Sequence, residues 1–130
     1  GNQVGFFLRA RVPPSRVTLG HVEVAPWPDI CRAAEKGFWL CFTNFGGEAV
    51  MAEAVMLAQV ATLVRRGYIR QILLSNDFAY FARRGRLIPH FPAPCDYLSR
   101  IIRSKLARHG LKPAAIERIL EDNPRRALAF

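Results

Sequence analysis

Three short apolar runs in this chain each end in side chains that can do chemistry. His21 follows Val17–Gly20, Thr43 and Asn44 follow Phe38–Phe42, and Ser75, Asn76 and Asp77 follow Ile72–Leu74. If the runs are parallel strands, these residues share one rim, because parallel α/β folds assemble their sites at the carboxyl ends of strands. A neutral imidazole and a carboxylate converging there are suitable ligands for zinc or a similar divalent ion. A metal held this way lowers the pKa of its water, so that hydroxide is available near neutral pH. On spacing alone, a histidine after a strand is more often structural, and that alternative stays open for His21.

The other chemically capable residues read more plainly. His90, between Pro89 and Phe91, is expected at the surface or in packing. His109 precedes Gly110 at a helix end, where an imidazolium suits the negative end of the helix dipole. Gly46-Gly47 has no following Lys-Ser/Thr and is no phosphate loop, and no Gly-x-Ser-x-Gly elbow occurs. The three cysteines, Cys31, Cys41 and Cys95, show no Cys-x-x-Cys spacing. A disulfide framework or structural zinc knuckle is therefore not expected, and a reducing cytoplasmic location fits.

The elements that must position the polar rim alternate along the chain. Gly1–Ala10 looks like the tail of a helix. Val17–Gly20 is a β-rich run after the breaker Pro13-Pro14. Pro28–Lys36 reads as a helix, with proline near its start and Gly37 just past its end. Phe38–Phe42 is continuously apolar, as in a strand buried on both faces. Glu48–Arg66 is a long helix stopped by Gly67, and Ile72–Leu74 centres a third strand. Phe78–Pro94 is a long connection without expected structure, the kind that is usually functional or a lid. Asp96 could cap a helix Tyr97–Arg108, ended by Gly110. Pro113 opens a last helix, Ala114–Glu121, whose Ile116, Ile119 and Leu120 form an apolar stripe, and Asn123-Pro124 ends it. Ala34–Phe38 and Val64–Tyr68 repeat one pattern, from helix end through glycine into an aromatic and a strand, the signature of a parallel α/β repeat.

Composition narrows the classes. The chain has 130 residues, 51% of them hydrophobic and 22% charged, which describes a globular chain rather than a disordered one. Its longest apolar stretch, Ala49–Val64, contains Glu53 and Gln59 and falls short of the ~20 residues that cross a bilayer. No charged leader with a cleavage site begins it. No membrane partner is expected. The net charge of +9 is spread over helix ends and loops, and no zinc-finger, RNP or basic-zipper pattern accompanies it, so no nucleic-acid partner is expected either.

Three blocks, in order and spacing, resemble the phosphotriesterase-like family of the amidohydrolase superfamily. Pro14-Ser15-Arg16-Val17-Thr18-Leu19-Gly20-His21 resembles the segment leading to a metal-binding histidine. Gly67-Tyr68-Ile69-Arg70-Gln71-Ile72-Leu73-Leu74-Ser75-Asn76-Asp77 resembles the last barrel strand with its metal-binding aspartate. Leu111–Phe130, with Asp122-Asn123-Pro124-Arg125-Arg126, resembles the closing helix and its Asn-Pro-x-Arg terminus.

The resemblance implies an α/β fold, the C-terminal part of a (β/α)8 TIM barrel, roughly strands six to eight with their helices, and residues 1–130 as one partial domain. It implies a metal-dependent hydrolase in which hydroxide held by two divalent metal ions, zinc by expectation, attacks an ester, lactone or phosphoester. His21 would bind the more exposed metal. Asp77 would bind the more buried metal and accept the proton of the attacking hydroxide. Phe78–Pro94 would shape the substrate pocket, with Trp27, Phe78 and Tyr80 as walls, although ordinary packing accounts equally well for these aromatics. The family's His-x-His pair, its bridging lysine or glutamate and its strand-five histidine would all lie upstream of Gly1. The aspartate that many members carry at the end of strand seven is missing at Phe42-Thr43. Glu23 stands in for the acidic residue found shortly after the strand-six histidine. Since ~250 residues make such a barrel, the chain is expected to be a part, inactive alone, weak in metal binding and prone to associate, with a homodimer left open. The alternatives are a non-catalytic basic binding module and a degenerate structural remnant.

Overall fold

The computed structural model describes residues 3–46, 51–77, 80–83, 86–89 and 96–129. Helix α1, Gln3–Arg9, leads through a 3₁₀ turn at Pro14–Arg16 into strand β1, Thr18–Leu19. Helix α2, Trp27–Glu35, returns the chain to strand β2, Trp39–Phe42. Helix α3, Glu53–Arg65, returns it again to strand β3, Ile72–Leu74. The three strands form one parallel sheet in the order β1-β2-β3, with Leu19 beside Leu40 and Leu40 beside Ile72. Strands in sequential order with a helix in each crossover are the repeat expected from the sequence.

The repeated glycine pattern makes the two returns alike. Gly37 and Gly67 both adopt φ +89°, where a side chain would be strained. In each, the glycine N–H reaches back three residues (Gly37 to Ala34, Gly67 to Val64, both 3.0 Å) and the next N–H five (Phe38 to Ala33, 3.1 Å; Tyr68 to Leu63, 3.0 Å). This paired closure satisfies the last carbonyls of the helix and turns the chain into the strand. Gln71 then ties the two units together, its Nε2 donating to the Ala34 carbonyl at 2.7 Å and to that of Phe38 at 3.2 Å.

The core lies between sheet and helices. Phe38, Leu40, Phe42 and Ile72 are fully buried, and α2 covers them with Ile30, Ala33 and Ala34. Met56, Val60 and Leu63 of α3 belong to the same cluster. Burying one such side chain contributes about 1.5–3 kcal/mol, so this layer holds the strands and fixes where their ends point. Among the described residues, β1 and β3 each pair only with β2, and their outer edges carry no strand. No described helix is long and apolar enough to cross a membrane.

Four stretches differ from expectation. Within Phe78–Pro94, strands β4, Tyr80–Arg83, and β5, Arg86–Pro89, form an antiparallel hairpin with Arg83 opposite Arg86, where no structure was expected. The two β-prone runs are separated by Arg84-Gly85, a two-residue link of hairpin length, and Pro89 falls at the strand end that tolerates it. The expected helix Tyr97–Arg108 is two helices, α4, Tyr97–Arg100, and α5, Ile102–Arg108, interrupted at Ile101. Ser99 and Ser104 donate to the carbonyls of Asp96 and Ile101 at 2.8 and 2.9 Å, the local bonding that competes with a helix. Asp96 precedes α4 but provides no side-chain cap, and its carboxylate pairs instead with Arg100.

The last helix does not stop at Asn123-Pro124. Helix α6, Pro113–Glu117, widens into a π segment, Arg118–Asp122, and continues as α7, Asn123–Ala127. Pro124 falls in the first turn of α7, directly after the π segment. The wider turn before it accommodates the ring. A residue before proline normally avoids helical dihedrals, yet Asn123 adopts φ −65° and ψ −49°. Its fully buried side chain compensates, because Nδ2 donates to the carbonyls of Ile69 and Ile72 at 2.7 and 2.8 Å. Asn123 thereby anchors the closing helix to the entry of β3. Helix α3 likewise starts at Glu53 rather than Glu48: Met51 and Ala52 are not helical, and residues 47–50 lie outside those described.

Candidate functional site

The carboxyl ends of β1, β2 and β3 lie side by side, and the register places their polar successors on one rim. The pairing continues past the strands, since Ser75 N–H donates to the Phe42 carbonyl at 2.8 Å and Phe45 N–H to that of Ser75 at 3.2 Å. Thr43 and Asn44 therefore lie within this extended pairing, whereas the His21 carbonyl accepts from Val24 N–H at 3.3 Å and Asp77 N–H reaches Ser75 Oγ at 3.4 Å.

His21 and Asp77 face one another. The Nε2 of His21 stands 3.9 Å from Asp77 Oδ2, and the side chains are 54% and 50% exposed, so each is open to a ligand arriving at the rim. Both sit in left-handed backbone, with φ 51° and 46°. Among the described residues, the only other non-glycine with positive φ is Arg11. Such conformations cost of order 1–3 kcal/mol and persist where surrounding structure imposes them, most often at functional sites.

Behind His21 lies a buried polar cluster. Glu23, in the 3₁₀ turn Val22–Val24, is fully buried. Its carboxylate accepts from Thr43 N–H at 3.2 Å, from the Thr43 hydroxyl at 2.8 Å and from the Asn44 amide. The same Thr43 Oγ1 lies 2.6 Å from His21 Nδ1. From the sequence, Thr43 and Asn44 read as polar strand ends and Glu23 as an acidic stand-in; the structure joins the three. The signal available was a glutamate two residues past the candidate histidine, with a hydroxyl and an amide closing the next strand.

Other expected residues are placed differently. Trp27 opens α2 half-buried, and its recorded partner is the Arg66 guanidinium, 5.7 Å from the ring centroid, rather than His21 or Asp77. Tyr80 opens the hairpin strand β4, three residues beyond Asp77, and Phe78 lies outside the described residues. His90 and Cys95 also lie outside them. His109 caps its helix as expected, with Nδ1 3.0 Å from the Lys105 carbonyl. A cleft of about 800 Å³ runs beside β1, between α1 and α2, and reaches His21. Among the described residues, no group of three or more His, Cys, Asp or Glu side chains is gathered as a metal cage.

Cys41 sits within this sheet, and burial together with the nearby Glu23 carboxylate pushes its thiol up to about 11, from a usual 9.0. Only the thiolate is nucleophilic, so at pH 8 its alkylation is expected to be about 100-fold slower than that of an unshifted thiol. Peptide-resolved mass spectrometry after iodoacetamide treatment of the native protein measures this, and labelling as fast as a model thiol would contradict it.

Parallel strands in sequence order, each returned by a helix and each ending in polar side chains on one rim, define the class: a segment of a (β/α)8 barrel. The model of the phosphotriesterase family matches residues 2–128, and the chain belongs to that family. Among solved structures, the organophosphorus hydrolase of Deinococcus radiodurans superposes with a TM-score of 0.83 at 22% identity, over 98% of this chain and 41% of that one. The phosphotriesterase of Mycobacterium tuberculosis gives 0.79 at 22% identity, over 97% and 40%. The phosphotriesterase homology protein of Escherichia coli gives 0.77 at 24%, over 94% and 41%. At such identities the likeness is one of fold. The chain spans about two fifths of the length of these structures. No curated protein matches it.

Proposed function

We propose that the full-length protein carrying this chain is a metal-dependent hydrolase of a small ester, lactone or phosphoester, and that this chain supplies part of its metal rim. The observation that carries the reading is the facing pair, His21 Nε2 and Asp77 Oδ2, 3.9 Å apart and half-exposed at adjacent strand ends. An imidazole nitrogen and a carboxylate oxygen fit a divalent cation such as zinc. With Nδ1 of His21 engaged by Thr43, Nε2 is the atom left to face the ligand. These are two donors where catalytic zinc normally has three from protein, so the remaining ligands for one or two ions come from outside this chain and the isolated segment is inactive. A bound cation supplies Lewis-acid polarisation and the acidification of water.

The chain's own residues do the rest. His21 orients the ligand it holds. The Asp77 carboxylate, through the oxygen not turned to the cation, accepts the proton of the attacking water and then returns it to the leaving group. Trp27, Phe78 and Tyr80 are assigned to the walls that hold the substrate, with the β4–β5 hairpin following Asp77 directly in the chain. Full-length protein stripped with a chelator and reloaded with zinc or manganese tests this against an aryl ester, a lactone and a phosphotriester. Hydrolysis of at least one is expected to vanish on stripping, return on reloading and fail to return in His21→Ala. Hydrolysis indifferent to both the chelator and His21→Ala would refute the proposal.

A further inference from the structure

We propose that Thr43 is a positioning residue that relays the buried Glu23 carboxylate to His21 and locks the imidazole in its Nδ1–H tautomer. The inference rests on the metal-rim reading only for its purpose, not for its geometry.

Proton counting carries it. A threonine hydroxyl has one proton to donate and lone pairs to accept with. Thr43 Oγ1 donates to Glu23 Oε1 at 2.8 Å, which commits its proton to the carboxylate. The 2.6 Å contact with His21 Nδ1 must then run the other way, from an Nδ1–H into the hydroxyl oxygen. The surroundings agree. Glu23 Oε1, a second acceptor, lies 3.5 Å from the same nitrogen. The one competing donor, Asn44 Nδ2, is also 3.5 Å away and already donates to Glu23. With the proton on Nδ1, the lone pair sits on Nε2, the nitrogen that faces Asp77. Which ring nitrogen binds a metal is decided by the hydrogen bond the other one makes.

The carboxylate comes fully buried from the turn after β1, and Thr43 comes from the end of β2. The relay is also well braced. Thr43 N–H holds Glu23 Oε2 at 3.2 Å, so the residue that receives the histidine proton grips its own acceptor through backbone and side chain together. Rotating the hydroxyl away from Glu23 would leave a buried carboxylate oxygen with one partner fewer, which opposes the other tautomer.

The test is made on the full-length protein, stripped of metal and labelled with ¹⁵N-histidine, with His21 assigned by difference against His21→Asn. Long-range ¹H–¹⁵N correlations distinguish the tautomers. Wild type and Thr43→Ser are expected to show His21 as Nδ1–H. Thr43→Val, of similar shape but without the hydroxyl, should shift the ring toward the Nε2–H form favoured by solvated imidazole. Zinc affinity by calorimetry should fall about 10- to 100-fold in Thr43→Val, the usual cost of losing a ligand's outer partner, and recover in Thr43→Ser. An Nε2–H ring in wild type, or a Thr43→Val spectrum equal to wild type in a folded protein, would overturn the proposal. The tautomer is read without metal, so failure of the relay and failure of the hydrolase reading give different results.

Discussion

Asp77→Asn in the full-length protein is expected to lower kcat/KM for the proposed ester, lactone or phosphoester hydrolysis by about 10²–10⁴-fold, the usual contribution of a positioned proton acceptor. The amide keeps the shape of the carboxylate and can still offer an oxygen to a cation, but it cannot take a proton near neutral pH. Folding should be untouched. Asp77 is half-exposed, and asparagine is among the few residues that accept the left-handed backbone found there, at φ 46°. Substitutions at such surface positions usually change stability by less than about 0.5 kcal/mol. Alanine would add strain to the loss of the carboxylate, so asparagine separates chemistry from stability. Steady-state kinetics with a parallel thermal melt measure both. Activity within threefold of wild type would remove Asp77 from the reaction.

The second large effect concerns stability and lies away from the rim. Glu53, at the start of α3, is buried with Tyr97 of α4 and Lys105 of α5. Its carboxylate accepts from the Tyr97 hydroxyl at 2.5 Å, from Gly46 N–H at 3.0 Å and from Lys105, while Lys105 also donates to the Tyr97 oxygen at 2.6 Å. The cluster thus joins the loop after β2 to the last helices. Lys105→Met keeps the stem and removes the charge, leaving Glu53 in the interior without its counter-ion. Breaking a fully buried pair costs about 3–5 kcal/mol and an exposed one about 1 or less. Since the Lys105 side chain is 30% exposed and that of Glu53 only 10%, about 2–3 kcal/mol is expected here, intermediate between those limits.

The pH dependence follows from the same contacts. Burial alone would raise the Glu53 pKa, but the hydrogen bonds from Lys105, Tyr97 and Gly46, with the Lys105 charge, outweigh it and hold the carboxyl below 4.5. Burial alone would lower the Lys105 pKa, and its bonds to Glu53 and Tyr97 raise it above 10.5. A depressed carboxyl stabilises the fold above its unfolded value and loses that contribution as pH falls. A raised amine stabilises below its unfolded value and loses that contribution as pH rises through the folded one. The cluster therefore contributes most between the two. Lys105→Met should lose stability at pH 7 and lose less on acidification than wild type, because protonating Glu53 now removes a stranded charge. Urea melts of full-length protein at pH 3.5 and pH 7 measure this. Equal midpoints for wild type and variant at pH 7 would show that the pair contributes nothing.

How far residues alone lead depends on whether the cause is local. The parallel units were legible because Gly37 and Gly67 end helices by a backbone mechanism that needs nothing beyond a few residues, and because Phe38–Phe42 is apolar on both faces as a covered strand must be. His21 and Asp77 were legible as strand-end residues for the same reason. What escaped was set by partners distant in sequence. Asn123-Pro124 looks like a stop, and it is overridden by the Asn123 amide reaching carbonyls 51 and 54 residues away. The Glu23–Thr43–His21 chain crosses from one strand end to the next and has no periodicity to betray it. The hairpin at Tyr80–Pro89 was hidden differently, since its signal was only a two-residue link between short runs.

The left-handed backbone at His21 and Asp77 has an evolutionary consequence. Glycine would relax both positions, and at each the gain in stability would come with the loss of a side chain proposed to hold the metal. Thermal robustness and chemistry therefore compete at the same two residues. A laboratory screen that selected only for a more stable chain would be drawn toward replacing both residues.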